Sequence, residues 1–278
     1  MIYEDILYEV TGSVATITLN RPDKLNAWTG RMSVEVRHAL AEAENDANVV
    51  GIVLTGAGRA FCAGADMEGL QAIAGAGRNE DSAMAVATPG DAGMDPAFRK
   101  TFSYIASVRK PIIGAINGPC AGLGLCIALY CDIRFAADSA VFVTAFVQRG
   151  LIAEHGISWL LPRLVGSANA MDLLLSSRRV SADEAERMGL INRAMPGDVL
   201  VGHAQDYVNA LAAQSSPSSM AIMKRQVYEH LQTGFGHAYD ESDALMAQSF
   251  ERPDMKEGIE SYVERRAPNF PRIGSDDS

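Results

Sequence analysis

Cysteine and positive charge are both scarce in this sequence of 278 residues. The four cysteines (62, 120, 126 and 131) form no CxxC pair, and no histidine stands at ligand spacing from them. We therefore predict buried free thiols and no metal site. Lysine and arginine number 24 against 34 acidic residues, which gives a net charge of −10. This balance disfavours a nucleic-acid partner, because phosphate binding requires clustered positive charge.

The sequence also lacks an uninterrupted hydrophobic run of membrane-spanning length. Its longest apolar stretch, 111–131, is broken by Asn117, Gly118 and Pro119, whereas a transmembrane helix needs about 20 consecutive apolar residues. The opening residues MIYEDILYEV are acidic and alternate like a strand, so they do not resemble a signal peptide. We predict a cytoplasmic protein with no membrane partner.

What the sequence does contain is the alternation of helices and strands that is typical of an α/β fold. Met32, Val36, Leu40 and Ala43 recur at the spacing of one helix face. The predicted elements are a hairpin over 6–19, a helix over 29–45, a strand over 49–54, a helix over 98–108, a strand over 111–116, a helix over 121–130 and a strand over 133–136.

The rest of the chain divides into an irregular loop and a helical end. Residues 71–96 are rich in Ala, Gly, Asp and Met without a sustained period, which predicts a surface loop that forms part of the pocket wall. After residue 166 the pattern is mostly helical, with a capping box at Ser181 and Glu184 and a helix that begins near Pro217.

Two glycine-rich turns, 55–66 and 117–124, directly follow predicted buried strands. Such turns leave backbone N–H groups unpaired, and two of these groups aimed at one point would stabilise negative charge developing on a carbonyl oxygen. Each turn alone could equally be a tight strand-to-helix connection. A dinucleotide site is disfavoured, because Phe61 stands where the third glycine of GxGxxG belongs.

Taken together, these stretches resemble the crotonase (enoyl-CoA hydratase/isomerase) superfamily. The resemblance rests on RPDKLNA (21–27), GAGRAFCAGAD (56–66), KPIIGAINGPCAGLGLCIALYCDIRFAA (110–137), GLIAEHGISWLLPRLVG (150–166) and YVERRAPNF (262–270). It implies a ββα spiral core over 1–200, a C-terminal helical trimerisation region over 201–278, and a homotrimer or hexamer. It also implies an acyl-CoA substrate, with no cofactor beyond the CoA that the substrate carries.

By position, the resemblance assigns the oxyanion hole to the backbone N–H groups of Ala65 and Leu123. Most relatives have glycine at the second place. The resemblance also shows that Cys126 and Phe146 stand where the family's hydratases have two glutamates. Hydration needs a base to activate water and an acid to protonate C2, so we expect a poor hydratase of the standard kind.

One carboxylate remains, at Glu154, where relatives that shift a double bond place an acidic residue. Its neighbours Ile152, Ala153 and Ile157 predict an apolar lining. A single carboxylate suffices for isomerisation, because it can remove a proton from C2 of a 3-enoyl thioester and return it at C4. We therefore predict a double-bond isomerase. His155 either orients this carboxylate or caps the following helix.

Other residues match family positions that meet the CoA moiety: Lys24, Arg59, Ala63, Asp66, Tyr262 and Arg265. Each alone would be an ordinary surface residue. Glu68 stands where some relatives have lysine, which weakens one expected phosphate contact.

Two alternatives stay open. Glu154 could activate water in a hydratase or another lyase or hydrolase, or the chain could bind acyl-CoA without turnover. RNA binding, known in some relatives, is disfavoured by the acidic balance.

Overall fold

The computed structural model describes residues 1–66 and 89–274. Strands form two sheets in this part of the chain. Their bounds are β1 (Ile6–Thr11), β2 (Val14–Leu19), β3 (Gly51–Gly56), β4 (Ile112–Ile116), β5 (Cys120–Ala121), β6 (Ile133–Ala137), β7 (Val141–Val143), β8 (Val180–Ser181) and β9 (Arg193–Met195). The larger sheet has the order β1-β2-β3-β4-β6-β9, and the smaller has the order β5-β7-β8. Only the β1–β2 hairpin is antiparallel in the larger sheet, so its other strands run in parallel.

Helices cover the sheet and make up most of the C-terminal part. They are α1 (Gly30–Asn45), α2 (Tyr104–Ser107), α3 (Leu123–Tyr130), α4 (Ile157–Ser176), α5 (Ala182–Arg187), α6 (Leu200–Gln214), α7 (Pro217–His230), α8 (Phe235–Ser249) and α9 (Pro253–Glu264). No helix in the described ranges is both long and apolar enough to cross a membrane.

Both faces of the larger sheet are buried at its centre, in β3 and β4. All six residues of β3 are buried, as expected for a parallel strand with helices on either side. Ile52 and Leu54 belong to the main core with α1 and α3. Val53 points the other way and packs with Leu200 and Val208 of α6. The sheet is therefore a rigid base, and the loops at the carboxyl ends of its parallel strands can be held in fixed positions.

The hairpin, the first helix and most later elements agree with the sequence predictions to within about two residues. Thr29 caps α1 by accepting a hydrogen bond from Met32 N, and Ser181 caps α5 in the same way with Glu184 N. The C-terminal part is helical as predicted. The division into 1–200 and 201–278 stays a prediction.

The single helix predicted over 98–108 is wrong. The structure has a short 3-10 helix, Pro96–Arg99, and then the one-turn α2. Lys100 between them is extended, with φ −83° and ψ −175°. The backbone N–H of Lys100 donates a hydrogen bond to Ser103 Oγ. This local side-chain bond competes with helix continuation, which apolar periodicity alone does not reveal.

The predicted loop over 71–96 lies largely outside the described residues, and so does Glu68. The last part of the predicted loop is described, and no helix or strand is assigned between Pro89 and Asp95.

Two asparagines hold the first glycine-rich loop in place. Asn26 is fully buried; its side-chain nitrogen donates to Ala57 O (2.9 Å) and Ala60 O (2.8 Å), and its oxygen accepts from Arg21 N (2.9 Å). Asn117 accepts from Gly56 N (3.1 Å) across the loop. Because these backbone groups have left water, each needs its partner inside the protein.

Replacing Asn26 with alanine should therefore destabilise the fold. The Asn26→Ala variant leaves buried backbone groups unpaired, and we expect the free energy of unfolding to fall by ~2–3 kcal/mol. Urea unfolding followed by circular dichroism measures this loss. The exposed Asn48, whose side chain donates to the neighbouring Asp46, supplies the matched control: Asn48→Ala should change stability by less than ~0.5 kcal/mol. Equal effects of the two variants would contradict the assignment.

Candidate active site

The two glycine-rich loops meet through a short parallel bridge between Cys62 and Cys120. Cys62 N donates to Pro119 O (3.2 Å), and Ala121 N donates to Cys62 O (3.0 Å). Gly124 packs against the same residue so closely that a Cβ atom there would lie 2.2 Å from Cys62 O. Backbone therefore touches backbone where the loops cross, and the two turns are fixed relative to each other.

The backbone N–H of Ala65 is directed by its pairing with Trp28. Trp28 N donates to Gly64 O (2.8 Å), and Asp66 N donates to Trp28 O (2.9 Å). In a parallel bridge of this kind, the residue between the two bonded groups turns its own N–H to the opposite side. No backbone acceptor takes the Ala65 N–H within residues 1–66 and 89–274.

The second donor, Leu123 N–H, lies at the first position of α3, where a helix leaves its N–H groups unpaired. Gly122 precedes it with φ 52° and ψ −118°, a conformation that glycine adopts far more readily than other residues. The partly buried Leu123 side chain packs against the main core. In the described part of the chain, the Leu123 N–H has no backbone acceptor, and its side chain turns into the protein.

A cavity of about 360 Å³ is lined by both Ala65 and Leu123. Its lining combines residues from the segment after β2, from both glycine-rich loops and from the segment before α4: Lys24, Ala27, Ala63, Gly64, Ala65, Asp66, Ala121, Gly122, Leu123, Ala145, Phe146, Arg149, Leu151 and Glu154. The structure thus brings together six of the nine residues that the sequence assigned to the site. Their individual roles stay predictions.

Glu154 presents a half-buried carboxylate to this cavity, with a side chain that is 35% exposed. His155 adopts a positive φ of 53°, and its backbone oxygen accepts a hydrogen bond from Tyr130 Oη (2.7 Å). The predicted lining by Ile152 is wrong, because that side chain is 81% exposed. Phe146 and Leu151 supply apolar surface at the cavity instead.

The second role considered for His155, capping α4, is not what the structure shows. Gly156 occupies the N-cap position, and no side chain caps the helix there. His155 Nε2 lies 3.4 Å from Glu154 Oε2 instead. This arrangement fits the orienting role.

Neither residue at the two missing acid positions can replace a carboxylate. Phe146 has no ionisable group. Cys126 is buried, and burial, with a smaller contribution from the negative charge of Glu154, raises the pKa of its thiol well above the ordinary value. The thiol therefore stays protonated near neutral pH. Of the described residues that line the cavity, only Asp66 and Glu154 carry carboxylates, and Asp66 is paired with Arg21 Nη1 at 2.9 Å.

Three predicted CoA contacts are not brought to the cavity. Arg59 is exposed, Tyr262 is 85% exposed near the end of α9, and Arg265 follows that helix. None of them lines the cavity.

Sequence reasoning missed two arginines. Arg149 lines the cavity, and its Nη1 donates to Ala145 O at 2.8 Å. Arg21 holds both Asp66 and Ala27 O. The signal that could have found Arg149 is its place five residues before Glu154, in the same connecting segment; nothing local distinguishes Arg21 from a surface arginine. Among the described residues, no cluster of His, Cys, Asp and Glu could hold a metal ion.

Known proteins resemble this chain over nearly its whole length. The sequence model of the enoyl-CoA hydratase/isomerase family matches residues 9–272. A Mycobacterium bovis protein named "Probable enoyl-CoA hydratase echA8" is 34% identical over 270 residues, which cover 97% of this chain and 99% of the relative. The "1,2-epoxyphenylacetyl-CoA isomerase" of Escherichia coli is 34% identical over 267 residues, covering 96% and 98% of the two chains.

Solved structures give the same result. The enoyl-CoA hydratase from Bacillus anthracis superposes with a TM-score of 0.84 at 28% identity, over 96% of this chain and 99% of its own. An enoyl-CoA hydratase from Mycobacterium marinum is 44% identical, with a TM-score of 0.65, over 81% and 96%. The predicted crotonase-like α/β fold with a helical C-terminal region is confirmed. The chain belongs to the enoyl-CoA hydratase/isomerase family of enzymes, within the crotonase superfamily.

Proposed function

We propose that the protein is an enoyl-CoA double-bond isomerase that uses Glu154 as its only acid–base group. The observation that carries this proposal is the lining of the cavity. Glu154 lines the same cavity as Ala65 and Leu123, while Cys126 and Phe146 stand at the two positions where the family's hydratases have acids.

The proposed reaction begins when the thioester oxygen of a 3-enoyl-CoA accepts hydrogen bonds from Ala65 N–H and Leu123 N–H. Glu154 removes a proton from C2, and the electron pair of that C–H bond delocalises into a dienolate whose negative oxygen faces the two donors. The carboxylic acid so formed returns the proton to C4, and the double bond then lies between C2 and C3. The N–H donors act where the charge develops, which is where such groups contribute most to rate.

The N–H donors are part of the backbone and carry no titratable proton. The acid–base step therefore depends on one side chain alone. Arg21 holds Asp66 in an ion pair with Nη1 at 2.9 Å, so this carboxylate is already engaged by a side chain. This is a second reason to assign the proton transfer to Glu154.

A hydratase remains the second candidate, because the relatives include proteins named enoyl-CoA hydratase. In that reaction Glu154 would have to activate water and also supply the proton to C2, since the protonated Cys126 thiol is a weak acid. The isomerase hypothesis needs only one group, and one relative is named an isomerase of a CoA ester. A protein that binds acyl-CoA without turnover is the third candidate.

For the CoA moiety we propose that Lys24, together with Arg149, meets its phosphates at the cavity mouth, where both line the wall. Ala63 and Asp66 would receive the adenine. Arg59, Tyr262 and Arg265 remain proposed contacts, and in this chain the last two lie at the exposed end of α9.

We further propose a homotrimer or hexamer in the cytoplasm. The support is apolar surface on the C-terminal helices: Val227, Phe235 and Phe250 are 61%, 84% and 57% exposed. Exposed apolar side chains in this number on adjacent helices are typical of a protein–protein interface.

Replacing Glu154 tests the proposed function directly. In Glu154→Gln the amide cannot accept the C2 proton, so we expect kcat/KM for 3-enoyl-CoA isomerisation to fall by about 10³-fold, within the range for loss of a general base. The Kd for a saturated acyl-CoA should change by less than about threefold. Absorbance of the 2-enoyl product and calorimetric titration measure the two quantities.

The control is Glu9→Gln on β1, an exposed glutamate outside the cavity, which should behave as wild type. Full isomerase activity in Glu154→Gln would contradict the assignment. Binding without turnover in the wild type would favour the non-catalytic alternative.

The oxyanion donors can be tested through Gly122. Gly122→Ala adds a methyl group that has open space, since its nearest neighbour would be 3.8 Å away, but the positive φ is strained for alanine. Relief of that strain rotates the peptide that carries Leu123 N–H. We expect kcat to fall by about 10²-fold, which is typical of losing one such donor, with Kd for acyl-CoA nearly unchanged.

The matched control is Gly202→Ala in α6, where a Cβ atom would meet nothing within 4 Å. Alanine is a better helix former than glycine, so this variant should keep full activity. An unchanged kcat in Gly122→Ala would exclude Leu123 N–H from the oxyanion hole.

A further inference from the structure

A second cavity, of about 380 Å³, lies next to the first. We call it the aromatic cavity, because rings make up much of its wall: Phe98, Phe102, Tyr130, His155 and Trp159.

The aromatic cavity shares a wall with the candidate active site. Glu154 lines the first cavity and His155 lines the second, and Glu154 Oε2 lies 3.4 Å from His155 Nε2. The two cavities are therefore neighbours, and the Glu154–His155 pair lies between them.

Contacts between aromatic rings also connect the two cavities, through Phe102. The Phe102 ring stands edge-on to His155, with centroids 4.7 Å apart, and edge-on to Trp28 at 5.5 Å. Trp28 is the residue whose backbone directs Ala65 N–H. Phe102 of the aromatic cavity thus contacts both Trp28, whose backbone positions the Ala65 N–H, and His155, which lies beside the Glu154 carboxylate.

The rings are also fixed in orientation. Phe98 is edge-on to Trp159, with centroids 6.4 Å apart and planes at 73°. Arg163 stacks on Trp159 at 4.0 Å from the ring centroid. Tyr130 Oη donates a hydrogen bond to His155 O, so this hydroxyl already has an acceptor within the protein. The wall offers ring faces and edges in a preset arrangement.

We propose that the aromatic cavity holds an aryl group at the end of the acyl chain, so that the substrate is an aryl-bearing acyl-CoA. This proposal rests on the proposed function, which places the thioester and C2 of the substrate in the first cavity. A ring attached at C4 lies beyond the carbon that receives the proton, and the aromatic cavity lies beyond Glu154. The order of groups along the substrate matches the order of sites along the protein.

Size and geometry both fit this substrate class. An apolar cavity of ~150 Å³ is enough to bind benzene, so about 380 Å³ holds a phenyl ring with its linker. Edge-to-face contacts add to the affinity of an aromatic ligand beyond its buried area. A linear alkyl chain gains the area term alone and loses rotational freedom on binding.

Binding of two saturated thioesters with equal carbon number tests the proposal independently of turnover. The probes are 4-phenylbutanoyl-CoA and decanoyl-CoA, titrated calorimetrically into the wild-type protein. We expect the phenyl compound to bind about tenfold more tightly, which corresponds to about 1.4 kcal/mol. Equal Kd values, or tighter binding of decanoyl-CoA, would overturn the proposal.

Two variants of Trp159 locate the preference. Trp159→Leu keeps an apolar side chain without a ring and should reduce the ratio of the two Kd values to about twofold or less. Trp159→Phe retains a ring and should keep most of the ratio. If both variants leave the wild-type ratio intact, the aryl group lies elsewhere and the proposal fails.

Turnover separates this proposal from the proposed function. Wild-type protein that prefers the phenyl thioester in binding but isomerises neither 4-phenyl-3-butenoyl-CoA nor 3-decenoyl-CoA would support the aryl site and contradict the isomerase. Isomerisation of both compounds with equal Kd for their saturated analogues would support the isomerase and contradict the aryl site.

Discussion

Backbone contact between the two glycine-rich loops is the constraint on which the site depends. Two N–H groups can face one oxygen only if the loops that carry them approach to within hydrogen-bond distance, and here they do so through the Cys62–Cys120 bridge. Gly124 leaves no room for a side chain against Cys62 O. The parallel sheet holds one end of each loop, and Asn26 and Asn117 bind the loop that contains Cys62. Preorganisation of this kind means that the donors need not move when charge develops on the substrate.

The acid–base half of the site rests on much less structure. One half-buried carboxylate, Glu154, stands on a turn whose next residue has a positive φ and a backbone oxygen held by Tyr130. In the proposed function, polarisation of the thioester rests on the fold itself, whereas the choice of reaction depends on a few side chains around it. Cys126 is protonated and Phe146 is apolar, so among the described residues the proposed proton transfer relies on Glu154. We propose that the aromatic cavity selects the acyl group that reaches this carboxylate.

Much of the fold could be predicted because its signals are local. The hairpin over 6–19, the apolar face of α1 and the caps at Thr29 and Ser181 follow from periodicity and side-chain chemistry. Glu154, Ala65 and Leu123 could be placed because motif order and spacing carry over from a known family. The failures depend on tertiary contacts: the break near Lys100 comes from a hydroxyl three residues away, and Ile152 points outward although its neighbours are apolar. Neither the Arg21–Asp66 pair nor the wall shared by the two cavities has a local signal, because each joins segments that are distant in sequence.

Isotopic analysis of the product tests the central claim most directly, namely that one carboxylate moves a proton and adds no water. A 3-enoyl-CoA is incubated with the wild-type protein in water enriched in ¹⁸O, and the product is examined by mass spectrometry after partial conversion. The account predicts a 2-enoyl-CoA with the mass of the substrate and no ¹⁸O. A 3-hydroxyacyl-CoA that carries ¹⁸O as the main product would contradict it, and would show that Glu154 works through water.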